Sequence, residues 1–173
     1  MKIFLIGFMG SGKSTIGRRL TELLGFDFVD TDRFVEMLHK TTVAQIFEQQ
    51  GEAAFRKMER HILQVLQQRD FAVISTGGGM PCYADNMEIM LASGKVVYLK
   101  TSPQTLTRRL LRSRTERPLI KGKTEKELQQ YVVEKLTERE PFYSRAHIVI
   151  QTENFSMEAL LQSLNMMKTN SGF

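Results

Sequence analysis

Short runs of apolar residues alternate along the chain with longer segments in which apolar residues recur at helical spacing. The short runs have the length and the continuous apolar character of buried parallel strands. They lie at residues 2–6, 26–29, 71–74, 96–99 and 147–150. This alternation predicts a single α/β domain over residues 1–173, in which a five-stranded parallel sheet is covered by helices on both faces.

Glycine and proline residues predict where several helices begin and end. Gly51 is expected to end a short helix and to separate it from a longer helix over 52–68. Pro141 is expected to interrupt the helix that begins at Glu125, and a last helix is predicted over 157–167. Ligands of such sheets bind beyond the carboxyl ends of the strands. The loops after the first three strands are therefore expected to meet and form the site.

The first predicted strand leads into a segment that matches the phosphate-binding P-loop. Residues 7–14 read Gly-Phe-Met-Gly-Ser-Gly-Lys-Ser, which fits the pattern G-x-x-x-x-G-K-[ST]. Glycines let backbone N–H groups face a phosphate, Lys13 brings a charge to the outer phosphates, and the Ser14 hydroxyl can bind magnesium. The residues expected to contact ATP here are Gly10, Ser11, Gly12, Lys13, Ser14 and Thr15.

Two carboxylates, Asp30 and Asp32, follow the second predicted strand. A P-loop enzyme needs a carboxylate near its Mg²⁺, and the third strand ends in Ser75-Thr76 without one. We therefore expect Mg²⁺ to be held by the P-loop serine and, through water, by Asp30, while Asp32 faces the acceptor. A helix is expected to start near Asp32, and the alternative is that its carboxylate only caps that helix.

A triple glycine follows the third predicted strand, at Gly77, Gly78 and Gly79. Three successive glycines lose much conformational entropy on folding, so they indicate that another group approaches the backbone closely. Arg56 lies three residues before Glu59 on one predicted helix, so Glu59 can brace its guanidinium. Taken alone, this pair is more typical of an exposed ion pair with little effect on stability.

Two further arginines lie near predicted breaks in regular structure. Arg117 belongs to the segment 112–123, which is rich in charge, has no periodicity and is predicted to be a mobile lid that closes over ATP. Arg139 lies just before the break expected at Pro141. Each of these arginines, taken alone, is more typical of a solvated charge than of a ligand.

Composition and charge narrow the possible partners. The net charge is +5, but residues 108–123 contain seven basic residues and one acid, a local charge of +6 that leaves −1 for the rest of the chain. One concentrated basic segment favours a small polyanion such as a triphosphate over a nucleic acid. The longest apolar run is too short to cross a bilayer, and the single cysteine, Cys82, agrees with a reducing cytoplasm. We expect a cytoplasmic monomer whose partners are small molecules.

Together, these motifs make the chain resemble the shikimate kinase family over nearly its whole length. In order along the chain they are G-x-x-G-x-G-K-S-T, D-T-D, G-E-x-x-F-R-x-x-E, S-T-G-G-G, R-P-L and R-E-P-F-Y. The resemblance implies a three-layer αβα P-loop kinase with strand order 2-3-1-4-5. It also implies that ATP phosphorylates the 3-hydroxyl of shikimate, which gives shikimate 3-phosphate and ADP on the route to chorismate and the aromatic amino acids.

The resemblance further assigns roles to individual residues. Lys13, Asp32 and Arg117 would be catalytic: Asp32 would orient the attacking hydroxyl, and Arg117 would close on the phosphates of ATP. Arg56 and Arg139 would hold the carboxylate of shikimate, and the triple glycine would contact its ring through backbone groups. The resemblance leaves open whether Asp32 also acts as a base.

Other assignments stay open from the sequence. The arginine that packs on adenine is taken as Arg109, although Arg108 and Arg112 are possible alternatives because the spacing of this loop varies. Another small-molecule kinase of the same fold, such as a gluconate kinase, is the nearest alternative function. A non-catalytic nucleotide-binding module is a second alternative, although no acceptor-site residue is missing.

Overall fold

One sheet of parallel strands organises the computed structural model, which describes residues 1–113 and 118–166. Its strands are β1 (Lys2–Ile6), β2 (Asp27–Asp30), β3 (Ala72–Ser75), β4 (Lys95–Lys100) and β5 (Ile148–Gln151). Neighbouring strands pair in parallel, and their order is β2-β3-β1-β4-β5. The predicted strand order is confirmed.

Seven helices connect and flank these strands in the described part of the chain. They are α1 (Lys13–Leu24), α2 (Thr31–His39), α3 (Val43–Leu66), α4 (Asn86–Ser93), α5 (Pro103–Leu111), α6 (Glu125–Tyr143) and α7 (Met157–Ser163). Short 3₁₀ turns occur at Met80–Cys82, Pro118–Ile120 and Thr152–Asn154. No helix within the described ranges is long and apolar enough to cross a membrane.

Alternate residues of the central strand β1 pack on opposite faces of the sheet. Phe4 and Ile6 are fully buried in a cluster with side chains of α3 and α4. Ile3 and Leu5 are fully buried in a second cluster with side chains of α1 and α7. Because each face of the sheet has its own apolar layer of helices, the predicted three-layer architecture is confirmed.

Two predicted helix boundaries agree only partly with the structure. The predicted break at Gly51 is confirmed as a kink, since Gly51 has φ 79 and ψ 172 inside α3, but the helical assignment continues through it. The last helix ends at Ser163 and does not reach residue 167. The helix axis therefore changes direction at Gly51, before the second half of α3, which carries Arg56.

The prediction that Pro141 interrupts its helix is wrong, because α6 continues through it to Tyr143. Proline lacks the N–H that would bond the carbonyl four residues earlier. The loss is confined to the C-terminal end of α6, which stops two residues later at Tyr143. Arg139 therefore projects from continuous helix, next to the buried Tyr143.

Candidate active site

A cleft of about 1050 Å³ opens at the carboxyl edge of the sheet, between the P-loop, α2, α3 and α6. It brings together every site residue that the sequence predicts within the described ranges. These residues are Gly10, Ser11, Gly12, Lys13, Ser14, Thr15, Asp30, Asp32, Arg56, Gly77, Gly78, Gly79, Arg109 and Arg139. The remaining predicted residue, Arg117, lies outside the described residues.

The P-loop wraps around the ammonium group of Lys13. Gly12 precedes α1 with φ 97, a left-handed conformation that favours glycine. Lys13 is nearly buried, and its Nζ donates to the carbonyls of Gly7 at 2.8 Å and Phe8 at 2.9 Å. The ammonium is therefore held at the centre of the loop, where a phosphate bound by the loop N–H groups would meet it.

Three side-chain oxygens meet behind the P-loop. Ser14 Oγ donates to Asp30 Oδ2 at 2.8 Å and lies 3.4 Å from Ser75 Oγ. Asp30 Oδ1 also accepts from the Arg33 N–H at 3.4 Å and caps α2, so the suggestion that Asp32 is the cap is wrong. Ser75 was missed in the sequence, although it ends the strand beside β2. Hard oxygen donors of this kind suit Mg²⁺.

Two carboxyl groups lie close together beside Gly77. A Cβ atom on Gly77 would overlap Glu59 Oε1 and would lie 2.8 Å from Asp32 Oδ1. The Gly77 N–H donates to Thr31 Oγ1 at 2.9 Å, which ties this backbone to the start of α2. Burial raises the pKa of Glu59 to about 7, against the lowering effect of Arg56 and with a further raising effect of Asp32.

Arg56 is held by acids one turn away on either side. Its Nη1 donates to Glu59 Oε2 at 2.5 Å, and its Nη2 donates to Glu52 Oε1 at 2.7 Å. Glu59 is 0% exposed, so the interpretation of this pair as a surface ion pair is wrong, and the predicted brace is confirmed. Glu52 was missed, although it lies four residues before Arg56, a spacing that brings side chains together on a helix.

Arg139 approaches the same site from α6. Its guanidinium carbon lies 5.3 Å from the centre of the Phe8 ring, and its buried Nη1 makes no hydrogen bond within the described residues. Nη1 would lie 3.2 Å from a Cβ atom on Gly78, and Tyr143 Oη donates to the Gly78 carbonyl at 2.5 Å. Arg139 thus lies against the middle glycine of the triple glycine.

Each glycine of the triple glycine lies against a different charged group. Gly77 faces the two carboxyl groups, Gly78 faces Arg139, and a Cβ atom on Gly79 would overlap the guanidinium of Arg56. Charged side chains of this protein therefore make the close approach to the backbone that the sequence predicts. The absence of side chains here lets both guanidinium groups reach the cleft.

The opposite end of the cleft is lined by Arg109 and Phe155. Arg109 Nη1 donates to the Gly10 carbonyl at 3.2 Å, which brings this arginine to the P-loop. Arg108 and Arg112 are exposed and do not line the cleft. Phe155, which follows β5 directly after a 3₁₀ turn, was missed because a single aromatic residue there resembles ordinary core.

Comparison with known proteins identifies relatives over nearly the whole chain. The family model for shikimate kinase matches residues 9–168. The shikimate kinase of Azobacteroides pseudotrichonymphae is 45% identical over 164 residues, which cover 94% of this chain and 96% of the relative. The structure of shikimate kinase from Bacteroides thetaiotaomicron has a TM-score of 0.86 at 37% identity and covers 95% of this chain and 94% of its own. Shikimate kinase from Acinetobacter baumannii in complex with shikimate also has a TM-score of 0.86, at 36% identity, with coverage of 96% and 95%.

Proposed function

The chain belongs to the shikimate kinase family, and from this premise we propose that it transfers the γ-phosphoryl group of ATP to the 3-hydroxyl of shikimate. The products are ADP and shikimate 3-phosphate. The observation that carries the proposal is that a P-loop and two buried arginines share one cleft. The P-loop supplies a site for the triphosphate, and the two arginines supply a site for a small carboxylate.

At the acceptor end, Arg56 and Arg139 bind the shikimate carboxylate. Guanidinium groups suit this task because their planar forks match carboxylate oxygens in pairs. Arg56 is held on both sides by carboxylates, and Arg139 is held against the Phe8 ring, so both donors are oriented before the substrate arrives. Gly77, Gly78 and Gly79 leave room for the ring of the substrate to approach the backbone.

At the reacting centre, Asp32 accepts a hydrogen bond from the attacking hydroxyl and orients it toward the γ-phosphorus. Lys13 and Arg117 stabilise the charge on the phosphoryl group as it moves. Because the transition state is largely dissociative, this charge stabilisation matters more than the strength of Asp32 as a base. The position of Asp32 in the cleft supports its role, whereas Arg117 lies outside the described residues.

The nucleotide binds with its triphosphate on the P-loop and its base toward Arg109. Gly10, Ser11, Gly12, Lys13, Ser14 and Thr15 contact the phosphates. Ser11 Oγ is buried and makes no hydrogen bond within the described part of the chain, so a phosphate oxygen would satisfy it. The guanidinium of Arg109 packs on the adenine ring.

Ser14 would hold Mg²⁺ directly, and Asp30 would hold it through a water molecule. Bound there, Mg²⁺ would supply positive charge to offset that of the phosphates of ATP. The cluster of Ser14, Asp30 and Ser75 oxygens supports this site, because Mg²⁺ is bound through few protein oxygens and completes its shell with water and phosphate.

The whole chain, residues 1–173, acts as one kinase domain with a lid at about 112–123. Pro118 and Leu119 line the cleft, which supports the lid, while residues 114–117 lie outside the described ranges. We place the protein in the cytoplasm as a monomer that binds small molecules and no nucleic acid. The confinement of its excess positive charge to residues 108–123 supports the last point.

A substrate panel tests the proposed function. ADP release should be measured with Mg²⁺-ATP and, separately, shikimate, gluconate and nucleoside monophosphates. We expect saturable turnover with shikimate and only background with the others. Comparable turnover with gluconate, or none with shikimate, would contradict the assignment.

A further inference from the structure

The acceptor end of the cleft has no excess of positive charge. The guanidinium groups of Arg56 and Arg139 line it together with the carboxyl groups of Asp32 and Glu59, and Glu52, which does not line the cleft, is bonded to Arg56. With every group in its usual charged form, these four lining groups sum to zero, and Glu52 brings the total to −1 before any acceptor binds. A carboxylate entering it adds a further negative charge in a partly buried place, where charges interact strongly.

Glu59 is the acid least able to stay charged when another anion arrives. Its side chain is 0% exposed, whereas that of Glu52 is 53% exposed and remains in contact with water. Glu59 Oε2 is bonded to Arg56, but Glu59 Oε1 accepts no hydrogen bond within the described residues. Protonation of such an oxygen avoids the free-energy cost of keeping an unpaired negative charge away from water.

Burial and the nearby carboxylate of Asp32 favour the neutral form of Glu59, whereas Arg56 and Arg139 favour its charged form. Beside Gly77, Oε1 lies close to the carboxylate of Asp32 on α2. The other titratable or charged neighbours are Arg56 on its own helix, Arg139 on α6 and Cys82 in the turn after β3. Burial and these neighbours place the pKa of Glu59 at about 7, so the free protein near neutral pH contains both forms of the acid.

We propose that binding of the acceptor carboxylate draws one proton from solvent onto Glu59. This inference rests on the proposed function, because it takes shikimate as the acceptor. The substrate carboxylate receives N–H donors from Arg56 and Arg139, and Glu59 gains a proton on its carboxylate and becomes a neutral acid. The new O–H can donate to Asp32, and the charge of Arg56 is then directed mainly at the substrate.

Proton uptake makes shikimate affinity depend on pH with a definite sign. At a pH well below the pKa of Glu59, the acid is already protonated and binding takes up no proton. As the pH rises, the proton has to be gained on binding, so affinity falls until the pH exceeds the pKa of Glu59 in the complex. The carboxylate of shikimate does not contribute, because aliphatic carboxyl groups are ionised across this range.

Isothermal titration calorimetry of shikimate into the whole protein, without ATP, tests the proposal. Binding enthalpies at pH 7 should be compared in phosphate and in Tris, which ionise with different enthalpies. We expect a difference that corresponds to uptake of a fraction of one proton per site. From pH 6 to pH 9, we expect shikimate affinity to fall by roughly tenfold.

Two variants test whether Glu59 is the group that takes up the proton. Glu59→Gln keeps the shape of the side chain but cannot titrate, so it should bind shikimate with the same enthalpy in both buffers and with affinity independent of pH. Glu52→Gln is the matched control: it removes the other acid bonded to Arg56, and it should keep the buffer dependence. Buffer dependence that persists in Glu59→Gln would overturn the proposal.

If Glu59→Gln does not fold, measurements on the wild-type protein alone still test the proposal. Infrared difference spectra should show a protonated carboxyl band that grows when shikimate binds. Shikimate binding with no buffer dependence and no such band would overturn proton uptake but leave the kinase assignment standing. A protein that neither binds nor phosphorylates shikimate would instead contradict the proposed function.

Discussion

At the scale of single residues, charge in the cleft is divided between the nucleotide end and the acceptor end. Lys13 lies inside the P-loop on the carbonyls of Gly7 and Phe8, and Arg56 and Arg139 lie beside the triple glycine. The three cations are nearly buried, so each is oriented by its neighbours and not by solvent. Substitutions at the two ends should therefore have separable effects.

Replacing Lys13 tests the nucleotide end. Lys13→Ala should fold normally and lose most phosphoryl transfer, because a charge directed at the moving phosphate is removed. The loss of one such contact typically costs on the order of 2.7–4 kcal/mol, or about 10²–10³ in kcat. Steady-state kinetics with Mg²⁺-ATP and shikimate measure this effect.

Lys57→Ala is a matched control, because Lys57 is exposed and does not line the cleft. Its kcat should equal that of the wild type. Turnover of Lys13→Ala near the wild-type value would contradict the role of the P-loop.

Replacing Arg56 or Arg139 tests the acceptor end. Either change to Ala leaves a bound carboxylate half paired, and a hydrogen bond to a charged group contributes about 1.5–3 kcal/mol, so shikimate affinity should fall more than tenfold. Lysine should restore binding only in part, because an ammonium group cannot form the fork. The double variant should lose less than the sum of the single losses, because the two share one partner.

Calorimetry of shikimate binding measures these losses, and ATP affinity without shikimate should hardly change. Arg145→Ala serves as the control just beyond the end of α6, since Arg145 is exposed and paired with Glu88. If both single variants bind shikimate as tightly as the wild type, the proposed acceptor site is wrong.

At the scale of elements, the loop after β3 decides how closely charged groups can approach. Gly77 and Gly79 lie against Glu59 and Arg56 of α3, and Gly78 lies against Arg139 of α6. None of the three needs a left-handed backbone, since positive φ angles among the glycines occur elsewhere. These glycines therefore leave space for neighbouring side chains, and they are not needed for an unusual backbone conformation.

A graded glycine series tests this interpretation. A Cβ atom at position 79 would overlap the guanidinium of Arg56, whereas at position 78 the nearest atom would be Arg139 Nη1 at 3.2 Å. Gly79→Ala should therefore weaken shikimate binding more than Gly78→Ala does. ATP binding, measured by calorimetry for both variants, should stay near the wild-type value. If both substitutions weaken shikimate binding equally, the overlap with the Arg56 guanidinium does not determine shikimate affinity.

At the scale of the whole molecule, the strand order brings the site together. β1 lies at the centre of the sheet between β3 and β4, so the P-loop is flanked by the loop after β3 and by the end of β4. β2 lies beyond β3, which brings Asp30 within hydrogen-bond distance of Ser14. A different strand order would separate these groups.

The proposed lid belongs to the scale of the whole molecule, because we expect its closure to depend on both ligands. Pro118 and Leu119 line the cleft, so the backbone around Leu119 should become protected when the cleft is filled. Amide hydrogen exchange of residues 119–123 should slow when ATP analogue and shikimate are both bound. Residues 157–163 of α7, which do not line the cleft, are the internal control. Equal exchange of 119–123 with and without ligands would rule out the lid.

The amino-acid sequence by itself determined the order of strands and helices and most of the candidate site. Buried strands and amphipathic helices have local periodicities, so β1 and the kink at Gly51 could be predicted from nearby residues alone. The P-loop, Asp30 and the triple glycine could be predicted because each has a distinctive local spacing or position after a strand. The continuation of α6 through Pro141 could not, because tertiary context can override the local tendency of a proline to break a helix.

Only the tertiary structure decided which groups face one another across the cleft. Glu59 and Gly77 are distant in sequence, and packing of α3 beside β3 places one carboxyl oxygen of Glu59 opposite Asp32. The same packing buries Glu59 and leaves Glu52 half exposed, although both bond the same guanidinium. Burial and the charge of neighbours set the protonation of a carboxyl group, and both depend on contacts between elements that no local pattern records.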